Sequence, residues 1–222
     1  MGVIQDPVLQ SLIDRLQAQS ASQEPETGRY FSERGARGEL SWDGLDAESH
    51  RFMADKLVAL EPAKAEFCHL ICRSLLATRV VEVGTSYGVS TLYLADAVRA
   101  NGGGTVISTE WEPAKAAAAR ASFAEAGPAS FIDLREGDLR ETLKVIEGPV
   151  DFVLMDIWTE MARPALDLVL PHLRPGSVII ADNTTSFRHA YRFFFEAAED
   201  PKNGLVTMTL PFDGGLEMLV KT

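Results

Sequence analysis

The chain has 222 residues, 46% hydrophobic and 24% charged, which is enough apolar material for a packed core and argues against a disordered segment. Its 21 Lys and Arg stand against 32 Asp and Glu, a net charge of −11, and a surface that acidic repels phosphate backbones and anionic lipid. Nucleic acid and membrane are therefore not expected partners, no apolar run reaches the roughly 20 residues that span a bilayer, and the opening MGVIQDPVLQ has neither the basic nor the apolar region of a secretory signal. A cytoplasmic location is the expectation.

The first fifty residues differ in texture from the rest. Residues 7–19 place Val8, Leu9, Leu12, Ile13 and Leu16 at helical spacing behind Pro7, which suits a first-turn position. Residues 20–45 then run polar and Gly-rich without periodicity, and are expected to form a loop whose Tyr30, Phe31 and Trp42 dock on this domain or on a second copy. Helices are expected over 46–60 and 62–77, the latter with an inward stripe of Phe67, Leu70, Ile71, Ser74 and Leu75. Cys68 and Cys72, four apart on that helix, read as small core side chains rather than metal ligands. The apolar 7–16 helix has no evident core to join, so it points to a homodimer contact.

From residue 79 strands alternate with helices. Strands are expected at 79–84, 105–110, 131–138, 150–156, 177–183, 204–211 and 215–222, with helices at 90–101, 113–127, 140–147, 162–173 and 187–199. Continuous apolar strands that alternate with helices predict a mostly parallel, seven-stranded sheet with helices on both faces. The last two strands, joined through PFDGG, read as a hairpin with one antiparallel strand.

In such sheets ligands bind beyond the carboxyl ends of the strands. The first strand ends in EVGTSYGVST, where Gly84 and Gly88 let the backbone pass close to a ligand and Glu82 precedes them by two residues. Three glycines in G-x-G-x-x-G spacing would cradle a pyrophosphate; this segment lacks them, and Glu82 disfavours a nicotinamide dinucleotide. It looks instead like motif I of the S-adenosylmethionine (SAM) methyltransferases, whose methionine ammonium tolerates a carboxylate. At the end of the second strand Glu110 is placed to accept two ribose hydroxyls or simply to be solvated, and Trp111 to stack on a base. Asp138 in EGD (136–138) is a candidate contact for the adenine edge. Asp156, Asp182 and Asn183 end the fourth and fifth strands, where three hard oxygen ligands suit Mg²⁺, Ca²⁺ or Mn²⁺. The alternative is a helix-capping Asp beside a hydrated one.

The succession VVEVGTSYGVST, STEWEP, DFVLMDIW, SVIIADN and LPFDGGLEMLVK resembles the cation-dependent O-methyltransferases, among them catechol and caffeoyl-coenzyme A O-methyltransferases, from about residue 58 onward. The resemblance implies a Rossmann-like SAM-binding domain over 61–222 and an N-terminal helical extension, 1–60, whose segment 28–45 covers the active site. It implies that Glu82, Gly84, Thr85, Ser86, Gly88 and Ser90 hold the methionine half of SAM, with Glu110 on the ribose. Trp111 and Ile157 would flank adenine, with Asp138 nearby. Asp156, Asp182 and Asn183 would hold the cation, Asp156 and Trp158 would stand at the reacting centre, and the acceptor would be a small catechol-like aromatic.

One departure stands out. Thr159 occupies the place, three residues after Asp156, where catechol-type members carry a lysine thought to act as base, and a hydroxyl takes no proton near neutral pH. LPFDGG also lacks the carboxylate placed against the second catechol hydroxyl, although Asp213 lies close. Either cation coordination lowers the acceptor's pKa enough for water to suffice, or His50 or His189 serves as base. His69 and His172 are given no role. The competing readings are a metal-independent or N-directed methyltransferase and a non-catalytic SAM-binding protein.

Overall fold

Seven largely apolar runs become strands; helical crossovers join most of them, and a turn containing Gly214 and Gly215 joins the last two. The computed structural model describes residues 2–41 and 44–222, so Trp42 lies outside the described residues. The strands are β1 (Arg79–Val83), β2 (Thr105–Glu110), β3 (Ile132–Glu136), β4 (Val150–Met155), β5 (Leu173–Asp182), β6 (Leu205–Leu210) and β7 (Leu216–Lys221). They form one sheet in the order β3-β2-β1-β4-β5-β7-β6, in which β7 pairs antiparallel with both neighbours. Strand order reverses between β1 and β4, the crevice where this architecture binds ligands.

Side chains alternate across the strands, so each strand feeds two cores. Val80, Phe152, Leu154 and Ile180 meet α1 (Pro7–Ala36), α3 (Pro62–Ser74), α4 (Val89–Ala100) and α5 (Pro113–Ala126) on one face. Val81, Val153, Met155 and Ile179 meet α7 (Thr159–Val169) and α8 (Arg192–Glu199) on the other. Two short helices, α2 (Ala47–Met53) and α6 (Leu139–Thr142), complete the set. Among the described residues no helix is long and apolar enough to cross a membrane.

The N-terminal region departs from expectation. Residues 20–36, expected as loop, continue α1 as helix through Pro25. No apolar stripe drives this half, because polar side chains fasten it instead. The Ser20 hydroxyl donates to the Leu57 carbonyl, and the Leu57 amide donates to Gln23 Oε1 at 2.8 Å. Gln17 Nε2 donates to the Leu60 carbonyl at 2.9 Å. Those bonds occupy the backbone of 57–60, so α2 stops at Met53 rather than reaching residue 60. Tyr30 stacks on Phe52 with ring centroids 3.7 Å apart and Phe31 meets both rings edge-on, so Tyr30 and Phe31 dock within this chain.

The apolar side of α1 has a partner too: Leu9, Leu12, Ile13 and Leu16 are buried in the α1–α3–α4–α5 core. The premise of a dimer contact at 7–16 is thereby replaced by an intrachain one. On α3 the buried positions are Lys64, Ala65, Cys68, His69 and Cys72, while Leu70 is 54% exposed, so the inward stripe lies about one position round from where it was expected. Both cysteines are free and buried in that core.

Leu12→Ala should lower the free energy of unfolding by about 2–5 kcal/mol in urea denaturation, the usual range for a fully buried leucine. A loss below about 0.5 kcal/mol, the scale of a surface substitution, would show that α1 is not part of the core.

Candidate functional site

The turn after β1 is shaped by left-handed glycines. Gly84 and Gly88 have φ of +99° and +88°; a Cβ on Gly84 would collide with the Asp156 carbonyl oxygen, and one on Gly88 with the Phe123 ring. Between them Ser86 also has positive φ, and its amide donates to Glu110 Oε2 at 2.7 Å while the Glu112 amide donates to Oε1 at 2.9 Å. Two amides thus orient the Glu110 carboxylate, leaving lone pairs for a further donor. The Thr85 hydroxyl pairs with Ser108 and donates to the Thr109 carbonyl at 3.1 Å, and Ser90 is buried in the first turn of α4.

Beneath this turn Glu82 is fully buried. Ser108 at 2.5 Å and Thr91 both donate to its Oε2, while Oε1 has no hydrogen-bond partner among the described residues. Burial pushes its carboxyl up to about 7, against the hydrogen bonds that lower it. A buried carboxylate oxygen without a donor, beneath a backbone that only glycine allows, fits the ammonium of a methionine moiety.

Strand register brings in the other acids. Val83 pairs with Met155 and Met155 with Ala181, so Asp156 and Asp182 stand side by side at adjacent strand ends. Glu82 pairs with Leu154, two residues before Asp156, so all three carboxylates point to the α3 face. Burial and then the neighbouring Asp182 and Glu82 push Asp156 well above the ordinary carboxylate range. Burial raises Asp182 as well, opposed by Lys64. Lys64 reaches from α3 and donates from Nζ to Asp182 Oδ1 at 2.6 Å, with the two side chains 4% and 7% exposed. Asn183, in left-handed conformation, donates from Nδ2 to Asp182 Oδ2 at 2.8 Å. The Tyr191 hydroxyl donates to the Asp182 carbonyl at 2.9 Å.

No cluster of three or more His, Cys, Asp or Glu side chains arranged for a metal is present among the described residues; the expected donor set is two carboxylates and an amide. Its chemistry nevertheless fits a divalent cation. Glu82, Asp156 and Asp182 carry three potential negative charges against one lysine, on the hard oxygens such ions prefer.

The rim gathers the remaining expected residues. Trp158 precedes α7 and Thr159 begins it, with Ile157 half-buried beside Asp156. The His50 ring meets Trp158 edge-on at 6.4 Å and lies 3.9 Å from Glu160, so α2 covers this corner. Trp111 is 62% exposed on the side of Glu110. Asp138 accepts the Arg140 amide at 2.9 Å and pairs with its guanidinium at 2.5 Å, a capping role. The β6–β7 turn closes over Asn183, where the Gly214 carbonyl accepts the Thr185 and Ser186 amides. Asp213 is exposed on that turn, and His189 is exposed on the segment after β5. His172 lies before β5, at the far end of the sheet, and buried His69 pairs with Asp96 at 3.0 Å.

Sequence reasoning missed Lys64. Its signal was a lysine in helical phase with Cys68 and Cys72, the two residues already assigned to the core.

Residues 81–184 match the profile of a methyltransferase domain. This stretch spans the glycine turn, Glu110 and the Asp156–Asp182–Asn183 corner. Residues 81–184 are thus similar to that domain. The chain is 32% identical to a catechol O-methyltransferase of Niastella koreensis over 134 residues, 57% of this chain and 58% of that protein. It is also 32% identical to one of Mycobacterium tuberculosis over 127 residues, 57% of each. The chain thus spans somewhat over half the length of these relatives. Among solved structures, the O-methyltransferase TomG of Streptomyces achromogenes, involved in tomaymycin synthesis and bound to SAM, superposes with a TM-score of 0.66 at 25% identity over 79% of this chain and 87% of that one. A Bacillus cereus O-methyltransferase in complex with SAH gives 0.67 at 21% identity over 95% of this chain and 100% of that one. The chain has the Rossmann-like fold of class I SAM methyltransferases, as its motifs led us to expect.

Glu82 gives this domain a pH signature. Its folded-state carboxyl, raised from 4.5 to about 7, holds a proton across a window where the unfolded chain has released it. The folded state binds more protons there, so this contribution to stability is present below pH about 4.5 and falls away as pH rises through 7. Thermal melts of the ligand-free protein at pH 5 and pH 8 should show part of the fall in Tm disappearing in Glu82→Gln. A variant with the wild-type pH slope would contradict the assignment.

Proposed function

We propose that this chain is a SAM-dependent O-methyltransferase that moves a methyl group to one hydroxyl of a small aromatic acceptor with vicinal hydroxyls, aided by a divalent cation. The observation that carries this reading is the register of β1, β4 and β5, which sets the glycine turn, open to a cofactor, directly against the Asp156–Asp182–Asn183 corner. The catechol O-methyltransferases at 32% identity support the same acceptor class.

In this reading Gly84, Thr85, Ser86, Gly88 and Ser90 shape the methionine end of the cofactor site, and Glu82 Oε1 receives its ammonium. Glu110, already aimed by two amides, takes the ribose hydroxyls. Trp111 and Ile157 flank the adenine, with Asp138 at its edge. The sulfonium methyl moves by in-line displacement, so holding the acceptor oxygen on that line supplies much of the acceleration. Asp156, Asp182 and Asn183 would hold a divalent cation, which favours the ionised form of a coordinated hydroxyl and orients it. Trp158 walls the acceptor side, and segment 44–53 excludes water from it. Thr159 is not a base; His50, beside Trp158, is the histidine closest to the rim that the structure relates to an expected site residue.

A second reading has one observation in its favour. The Lys64 ammonium already neutralises Asp182, as a metal-independent centre would require. Methyl transfer from labelled SAM to catechols, single phenols and aromatic amines, with Mg²⁺ and with EDTA, separates the two. We expect turnover on a catechol that EDTA abolishes, and a fall of about a hundredfold or more in Asp182→Asn, comparable to removing one electrostatic stabiliser from a transition state. Turnover indifferent to EDTA would favour the second reading. SAM binding without turnover on any acceptor would overturn both.

A further inference from the structure

We propose that Lys64 is a tethered counter-ion of this centre, competing with a divalent cation for Asp182 and so setting the cation affinity of the site. The inference rests on the cation reading above and adds to it a residue that the motifs do not contain. The lysine expected three residues after Asp156 is replaced by Thr159, and the lysine that the centre does possess arrives from the opposite side, on α3.

The geometry leaves little room for indifference. Lys64 Nζ lies 2.6 Å from Asp182 Oδ1, and Asn183 Nδ2 lies 2.8 Å from Asp182 Oδ2, so both oxygens of that carboxylate already accept a donor. Lys64 and Asp182 are 4% and 6% exposed, so water does little to screen the pair. A lysine buried to this degree needs a carboxylate partner, and the face it enters offers Glu82, Asp156 and Asp182. A divalent cation bound to Asp182 would stand beside a fixed positive charge. Either the ammonium withdraws or the ion binds against its repulsion, and both lower the affinity. When no divalent cation is bound, the same ammonium holds the acidic corner together. Lys64 thus acts as a positioning residue and an affinity filter, without touching the acceptor.

The test is Mn²⁺ binding to the full chain, read by electron paramagnetic resonance of the free ion, in wild type, Lys64→Met, Lys64→Arg and the double variant Lys64→Met/Asp182→Asn. We expect Lys64→Met to bind Mn²⁺ at least about tenfold more tightly, the response to removing one near positive charge from a poorly screened site. Lys64→Arg should stay near wild type, and the double variant should lose the gain. Should Lys64→Met fail to fold, Lys64→Gln, which keeps a donor for Asp182 without the charge, carries the same expectation. Unchanged or weaker Mn²⁺ binding in the folded charge-removing variant would overturn the proposal. Mn²⁺ binding by none of these proteins would overturn it together with the cation reading. SAH titrations of the same samples would then report whether the cofactor site stands independently.

Discussion

The structure depends on keeping three carboxylates, buried Glu82 and Asp182 and half-buried Asp156, side by side on one face of the sheet with a single lysine among them. Buried like charges are costly unless they are protonated, paired or hydrogen-bonded, and each acid here meets that demand differently. Glu82 takes two hydroxyl donors and leans toward its protonated form, while Asp182 takes Lys64 and Asn183. Asp156 is left with the weakest compensation and is the acid pushed well upward. A site built this way carries surplus negative charge. The ligands proposed for it, a sulfonium cofactor with an ammonium tail and a divalent ion, would both answer that surplus.

The rest of the fold serves this arrangement. Parallel strands fix the spacing of the acids, and the reversal between β1 and β4 opens the crevice above them. Gly84 has no Cβ because the Asp156 carbonyl occupies that space, so the glycine turn and the acidic corner are packed directly together. The β6–β7 turn buttresses Asn183 through Gly214, and α2 brings His50 and the rim together. Even α1 contributes: its polar half fixes 57–60, the segment that leads into α3 and so places Lys64.

Much of this was legible in the sequence, for reasons that also explain what was not. The central strands could be read because helices cover both faces there and they are mostly apolar, as in VVEV and DFVLM, whereas β3 and the exposed edge strand β6 followed from alternation with helices and from the terminal hairpin. The strand-end acids and the glycine turn followed from the architecture alone. The second half of α1 could not be read, since Ser20, Gln23 and Gln17 hold it through contacts some 34 to 43 residues distant and Pro25 signals a break. Leu70 looked inward by composition, yet the phase of α3 is set by Cys68, Cys72 and the acids that draw Lys64 inside. A lysine is read as surface by default, and only a partner in space reverses that.

The central claim is that the acidic crevice is a SAM site whose ribose is held by Glu110. Calorimetric titration with SAH, and separately with NAD⁺, of the wild type and of Glu110→Gln tests it most directly. The account predicts saturable SAH binding, weakened about tenfold or more by loss of a charge-assisted hydrogen bond in the variant, and no NAD⁺ binding. SAH binding that Glu110→Gln leaves untouched, or a preference for NAD⁺, would contradict it.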